Sequence, residues 1–351
     1  MPQISSSPSV TSRVDGDEIG FSKSIVDPSL LLNVLEHQNT DFNGAHIREH
    51  AYAGRNQLFD IEDRTGKRWV AKQNLWFGST ERWFYENCAP TYSAAPACLF
   101  SDETWDLVVV EHIADAVSLS KLFVDNLEAL LPILDEVGAN LARLHNIDAT
   151  QIPRASIPFP SLDPVDVKAW EHGSPASRAV IRELQRQPLL SSVYHDSLGH
   201  PGRRSLIHGD LRGPNILCSI NGQYLIDWEC CGLGSPGWDL GAILGDLLMA
   251  ASSPWTHVLR IDQLGHPLPP SLPIADLQLA SRRFLSSYRT NVKHGDADAA
   301  YAARYTAASI IGRTYARAMQ SYQVPNDMWL RMLIAETVLS SPAELFGSDT
   351  W

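Results

Sequence analysis

Asp210, Asn215 and Asp227 stand at a spacing that suits transfer of a phosphoryl group from a magnesium–ATP complex. Asp210 and Asn215 lie in His208-Gly209-Asp210-Leu211-Arg212-Gly213-Pro214-Asn215, and Asp227 in Ile226-Asp227-Trp228-Glu229. In that chemistry one carboxylate orients the attacking hydroxyl and accepts its proton. An amide oxygen and a second carboxylate hold the magnesium ions that bridge the phosphates. An Asp beside a turn is usually only a turn residue. Here each Asp follows apolar strand-like residues, Leu206-Ile207 and Leu225-Ile226, so each carboxylate is expected to project from a rigid neighbour into one cleft.

The surrounding pattern supplies elements to position them. Strands are expected over Ile47 to Tyr52, Gln57 to Glu62 and Lys67 to Gln73, with turn chemistry at Gly54-Arg55-Asn56 and Asp63-Arg64-Thr65-Gly66. A helix from about Ser79 to Asn87 follows, stopped by Pro90, and then strands over Ala97 to Phe100 and Trp105 to Glu111. These make a small, mostly antiparallel sheet with one inserted helix. Upstream, Asp27-Pro28 opens a short helix over Ser29 to Leu35, with Val26 and Leu31 placed to form a hydrophobic staple. After His112 the pattern turns helical: Leu134, Val137, Leu141 and Leu144 share one face. A Pro-rich stretch from 150 to 205 carries a helical piece near Ser177 to Arg186. Ile216 to Ser219 and Tyr224 to Ile226 read as a hairpin turning at Asn221-Gly222. A stripe of Leu240, Ile243, Leu244, Leu247 and Leu248 marks a helix that Asp239 starts, and helices continue from Ile274.

Several residues could serve the same chemistry. Lys72, in Trp69-Val70-Ala71-Lys72, could reach phosphates from a strand, although a lone strand lysine is usually exposed. Glu81 could pair with it, with Glu86 as a competitor. Backbone amides around Asn56 could approach phosphates, and backbone groups of Glu111 and Ile113 could meet an adenine edge. There is no glycine-rich phosphate loop ending in Gly-Lys-Ser or Gly-Lys-Thr.

Bulk properties set the frame. The chain has 351 residues, 44% hydrophobic and 19% charged, enough for two lobes with cores of their own. Its 28 basic and 40 acidic side chains give a net charge of -12, which argues against nucleic acid as a partner. The five cysteines form no CxxC pair and read as reduced thiols of a cytoplasmic protein. The Ser- and Pro-rich start, Met1 to Arg13, does not resemble a signal peptide, and no apolar run is long enough to span a membrane.

With these residues in order, the sequence resembles the aminoglycoside phosphotransferase family, the kinase-like group that includes choline and homoserine kinases. The resemblance runs from about residue 44 to at least 250. Its specific parts are the His208 to Asn215 loop and Ile226-Asp227-Trp228-Glu229. Gly54-Arg55-Asn56, Val70-Ala71-Lys72, Glu81 to Tyr85, Leu141-Ala142-Arg143-Leu144-His145 and Trp238-Asp239-Leu240 support it by their order. It implies an α+β, bilobal protein-kinase-like fold: an extension with a short helix over 1–40, a small antiparallel-sheet N-lobe with one helix over 41–112, and a larger, mainly helical C-lobe over 113–351. It implies ATP and Mg2+ as cofactors, Lys72 on the phosphates, Asp210 as catalytic base, and Asn215 with Asp227 as metal ligands. Asp239 matches a position that braces the catalytic loop. Many relatives carry His-Pro-Gly before the metal-binding Asn where this chain has Arg212-Gly213-Pro214. Arg212 therefore either steadies charge on the transferred group or contacts the acceptor.

The expected activity is transfer of the γ-phosphate of ATP to a hydroxyl of a small molecule. Phosphorylation of a peptide Ser or Thr is the alternative, and a nucleotide-binding pseudokinase module the least favoured. Gly209 stands where kinases switched by loop phosphorylation carry an Arg, so a phosphorylated loop would find no charge partner beside the base. The purified chain is expected to turn over ATP without prior phosphorylation. Loss of turnover on phosphatase treatment would contradict this.

Overall fold

The computed structural model describes residues 26–38, 40–50, 56–75, 80–123, 127–148, 151–157, 159–162, 164–199, 204–251, 273–293, 299–324 and 327–346. Helix α1 (Pro28–Gln38) is capped as its sequence demands, the Asp27 carboxylate accepting from Leu30 N at 2.8 Å. Strands β1 (His46–Glu49), β2 (Gln57–Glu62), β3 (Arg68–Gln73), β4 (Cys98–Asp102) and β5 (Leu107–Glu111) form one antiparallel sheet in the order β1-β2-β3-β5-β4. β1 ends at Glu49; the last residues of that expected strand, and Gly54 and Arg55 of the following turn, lie outside the described residues.

Alternation along β3 divides the two faces of the sheet. Trp69 and Ala71 join Phe59, Ile61, Leu107 and Val109 in an apolar cluster closed by Leu31 and Leu35 of α1. Val26 and Leu31 are both buried there, as expected of a staple. Lys72, next along the strand after Ala71, faces the other way, towards α2 (Thr80–Asn87).

The segments carrying Asp210, Asn215 and Asp227 hang from two small sheets. β7 (Ser205–Ile207) pairs with β10 (Gly232–Gly234), while β6 (Val117–Ser118), β8 (Ile216–Ser219) and β9 (Gly222–Leu225) form the other. Ile207 is paired with Gly232 and Ile216 with Leu225. The loops 208–215 and 226–231 therefore both bridge the same two sheets and lie side by side. His208 Nε2 donates to Ile226 O at 2.9 Å and Ile226 N to Asn215 O at 3.0 Å, stitching the loops together. The hairpin turns at Ile220-Asn221, one residue earlier than expected. Gly222 sits in the ladder opposite Ser219 with φ +127°, and Asn221 N is held by Ser219 Oγ at 3.1 Å.

The remainder is helical: α3 (Leu119–Leu122), α4 (Leu127–His145), α5 (Val167–Glu171), α6 (Pro175–Arg186), α7 (Pro188–Gly199), α8 (Gly237–Ala251), α9 (Ile274–Asn291), α10 (Ala299–Met319), α11 (Met328–Ser340) and α12 (Pro342–Phe346). The stripe Leu134, Val137, Leu141 and Leu144 is fully buried on α4. α7 was not expected, because its Ser, Val, Tyr, His and Asp are weak helix formers. Burial of Leu190, Tyr194 and Ser197 at helical spacing overrides that propensity.

Aromatic stacking links the sheet's helix to the second loop. Phe84 of α2 and Trp228 stack face to face, centroids 3.6 Å apart and planes 10° off parallel, with Tyr92 edge-on to both. Trp228 is fully buried. Trp228→Ala is expected to lower stability by about 3–5 kcal/mol in denaturant unfolding; a loss below about 1 kcal/mol would show that this stack does not join the two parts.

Candidate active site

A buried carboxylate sets the loop 208–215. Asp239, in the first turn of α8, accepts from His208 N at 2.8 Å and Gly209 N at 3.0 Å, and from His145 Nε2 of α4 at 3.1 Å. Because an ionised carboxylate only accepts, Nε2 carries the His145 proton. Nδ1 then takes the hydroxyl of Tyr288 at 2.9 Å. Gly209 has φ +83°, and a Cβ there would lie 2.4 Å from Cys230 O, so the position excludes a side chain.

Asp210 follows, its side chain 19% exposed and 3.2 Å from the guanidinium of Arg212, which is 45% exposed. Burial raises the Asp210 carboxyl above the ordinary carboxylate value, and the charges of Arg212 and Arg313 only partly oppose it. Asn215 closes the loop in a 3₁₀ turn, its Nδ2 donating to Asp210 O at 2.9 Å. That bond commits the amide nitrogen and leaves the amide oxygen as the end available to a cation.

In the neighbouring loop Asp227 adopts the left-handed conformation, φ +70° and ψ +60°, which Asp tolerates better than most residues. Its carboxylate is paired with Lys72 Nζ. Lys72 also lies 2.8 Å from Glu81 and 3.3 Å from Glu229. Burial alone would raise the Asp227 carboxyl, but Lys72 outweighs it and holds it below the ordinary value. For Lys72, the three carboxylates outweigh burial and hold the ammonium well above its ordinary range. Burial leaves the Glu81 carboxyl raised in spite of Lys72.

Of the two glutamates open to Lys72 from sequence, Glu81 makes the contact, while Glu86 pairs with Arg82 at 2.8 Å. Asn56 donates from Nδ2 to Glu229 and accepts from Leu75 N at 3.3 Å. Glu111 ends β5 with its amide on Ala97 O at 2.8 Å, and Ile113 follows in the link to β6. Lys72, Glu81, Asn56 and Asp227 thus meet around one cluster, Asp210, Arg212 and Asn215 occupy the adjoining loop, and Glu111 and Ile113 stand at the edge of the sheet. Three residues escaped the sequence reading. Glu229 was visible in the motif without a role, and Asp246 and Arg313 carried no local signal apart from the two-turn spacing of Asp246 from Asp239.

The donors are hard oxygens, an amide and a carboxylate. Magnesium accepts such a set when substrate phosphates supply the remaining ligands. No cluster of three or more His, Cys, Asp or Glu placed to hold a metal occurs among the described residues. A cavity of about 420 Å³ between Pro160, Asp166, Lys168 and Ala169 and the Tyr315–Gln320 end of α10 includes none of these residues in its lining.

An antiparallel sheet with one helix, joined to a larger helical part that carries two such loops, is a bilobal, protein-kinase-like fold. The solved structures it resembles include a choline/ethanolamine kinase family protein from Mesorhizobium loti (16% identity, 91% of this chain and 98% of that one, TM-score 0.55). Others are a choline kinase from Cryptosporidium parvum (14%, 91% and 98%, 0.57) and an amicoumacin kinase in complex with AMP-PNP, Ca2+ and Ami (14%, 90% and 94%, 0.57). At these identities the likeness shows the fold alone. The chain belongs to the phosphotransferase enzyme family (APH), whose model matches residues 84–272. Thiamine kinase of Salmonella typhimurium is 30% identical over 151 residues, 43% of this chain and 47% of the relative. The chain thus spans about half the length of the curated relatives it matches. No helix among the described residues is long and apolar enough to cross a membrane.

The raised Asp210 carboxyl has a consequence for stability. Its folded form prefers the proton, so the stability it contributes is present below the unfolded value of 3.8 and is lost as pH rises through the higher folded value. Asp210→Asn is expected to raise the melting temperature at neutral pH, by an amount that shrinks as the pH is lowered towards 3.8. An unchanged or lower melting temperature at neutral pH would contradict the raised carboxyl.

Proposed function

We propose that the chain is an ATP- and magnesium-dependent phosphotransferase that moves the γ-phosphate to a hydroxyl of a small molecule. The observation that carries this reading is the pair of stitched loops, which sets Asp210 and Asn215 beside Asp227 and Lys72. Lys72, steadied by Glu81, binds the phosphates. Asn56, tied to Glu229, holds the start of β2 over the same cluster. Backbone groups of Glu111 and Ile113 take the adenine edge. Asn215 and Asp227 hold Mg2+, which when bound neutralises charge on the transferring phosphoryl group.

Asp210 orients the acceptor hydroxyl and takes its proton; its raised carboxyl brings it nearer to the neutral range in which a general base works well. Arg212, half-exposed beside it, faces the transferred group or the acceptor. In this reading residues 41–112 form the nucleotide lobe, 113–351 the catalytic and acceptor lobe, and 1–40 an extension. A small-molecule acceptor is favoured over a peptide because the relatives are a thiamine kinase, choline kinases and an amicoumacin kinase. Five free cysteines fit a reducing, cytoplasmic setting.

Asp210→Ala is expected to lower turnover by about 10²- to 10⁴-fold with Mg-ATP binding retained, whereas Asp227→Ala should lose magnesium-dependent nucleotide binding itself. Both are read by ATP turnover against a panel of hydroxylated metabolites and by nucleotide titration with and without magnesium. Near-normal turnover in Asp210→Ala removes it as the base, and absence of turnover with every metabolite and candidate peptide leaves the pseudokinase.

A further inference from the structure

Helix α8 carries two aspartates, Asp239 and Asp246, seven residues apart. Two helical turns place them on one face. Both face the catalytic loop. Asp239 takes the amides of His208 and Gly209, while Asp246 Oδ2 takes Gly213 N at 2.6 Å. Asp210 and Arg212 are thus strung between two fixed points. The second oxygen of Asp246 pairs with the guanidinium of Arg313 on α10, both side chains largely buried at 17% and 20% exposure.

The surroundings leave this pair little room to shift. α8 and α10 approach so closely that a Cβ on Gly241 would meet the Thr306 amide at 2.6 Å. Gly213 itself is wedged against α3, since a Cβ there would lie 3.0 Å from Ser120. The turn Gly213–Asn215 begins at this pinned amide and ends at Asn215, whose Nδ2 is held by Asp210 O at 2.9 Å.

We propose that the Asp246–Arg313 ion pair is the second anchor of the catalytic loop, with Arg313 a positioning residue that acts through Asp246 and Gly213 on Asn215. The proposal rests on the phosphotransferase reading. A buried carboxylate that lost its guanidinium would be drawn towards water or protonation, and the Gly213 amide would lose its fixed partner. The metal ligand at the far end of the turn would then be misplaced while the nucleotide-facing sheet stayed intact.

The test reads binding of a fluorescent ATP analogue to the full chain across a magnesium titration, which requires no acceptor. Arg313→Met is expected to raise the magnesium concentration at half-maximal binding by about 10- to 100-fold, the usual cost of removing a partner behind a metal ligand, with affinity in EDTA unchanged. Arg313→Lys keeps the charge and is expected to recover most of the loss. Asp246→Asn keeps an acceptor for Gly213 N but not the charge for Arg313, and is expected to reproduce it. A wild-type magnesium dependence in Arg313→Met and Asp246→Asn overturns the proposal, as does an equal loss in EDTA and in magnesium. If Arg313→Met fails to fold, Asp246→Asn and Arg313→Lys decide by the same two readings. A parent chain that binds the analogue without magnesium dependence sinks the phosphotransferase reading instead. A magnesium-dependent parent with unaltered variants sinks the ion pair alone.

Discussion

A single carboxylate deep in the helical core organises this molecule. Asp239 has no exposed surface, and an ionised group so placed is tolerable only when its lone pairs are filled. It accepts the two successive amides of His208 and Gly209 and the imidazole of His145, whose other nitrogen meets the hydroxyl of Tyr288. Four elements are thereby locked together: α4, α8, α9 and the loop that presents Asp210. Breaking such a set by removing one partner usually costs several kcal/mol, because the remaining donors stay buried without an acceptor. The loop geometry thus depends on contacts made well below the cleft.

The cluster around Lys72 follows a different electrostatic logic. One ammonium, Lys72, stands among Glu81, Asp227 and Glu229. Three carboxylates around one cation leave the cluster short of positive charge in a largely buried space, and such a space attracts cations. Phosphates alone would meet repulsion there; a cation accompanying them would supply the missing positive charge. The same cluster joins separate parts of the chain. Glu81 belongs to α2, Lys72 to β3, and Asp227 and Glu229 to the loop that the Phe84–Trp228 stack holds against α2.

Much of this was legible in the sequence. β2 falls over Gln57 to Glu62 as its alternation required, and the run of apolar residues before each Asp marked the strands that present them. The Lys72 partner was narrowed to Glu81 or Glu86, and packing chose Glu81, since Arg82 draws Glu86 away. What stayed hidden was tertiary. α7 forms from weak helix formers because its neighbours bury one face of it. The hairpin register shifted by one residue because Gly222, able to adopt positive φ, sits in the ladder itself. Arg313 lies 67 residues from Asp246, and nothing local marks either as a partner of the other.

The segment after the Asp227 loop is held by backbone bonds on both sides. β10 runs along β7 on one side, and on the other Pro153 to Ser156 supply a second set of backbone bonds. Leu233 N donates to Pro153 O at 2.6 Å, Ala155 N to Leu233 O at 3.2 Å and Ser156 N to Cys230 O at 3.1 Å. Gly232 permits this approach, since a Cβ there would lie 2.5 Å from Ala155 N and Pro153 O. Cys230 O, fixed by Ser156, is the same carbonyl that bars a side chain at Gly209. The glycine at position 209, where a side chain would meet Cys230 O, and the backbone clamp on the following segment are therefore two sides of one packing arrangement. Backbone hydrogen bonds hold this segment, where kinases switched by loop phosphorylation use a phosphate–arginine pair.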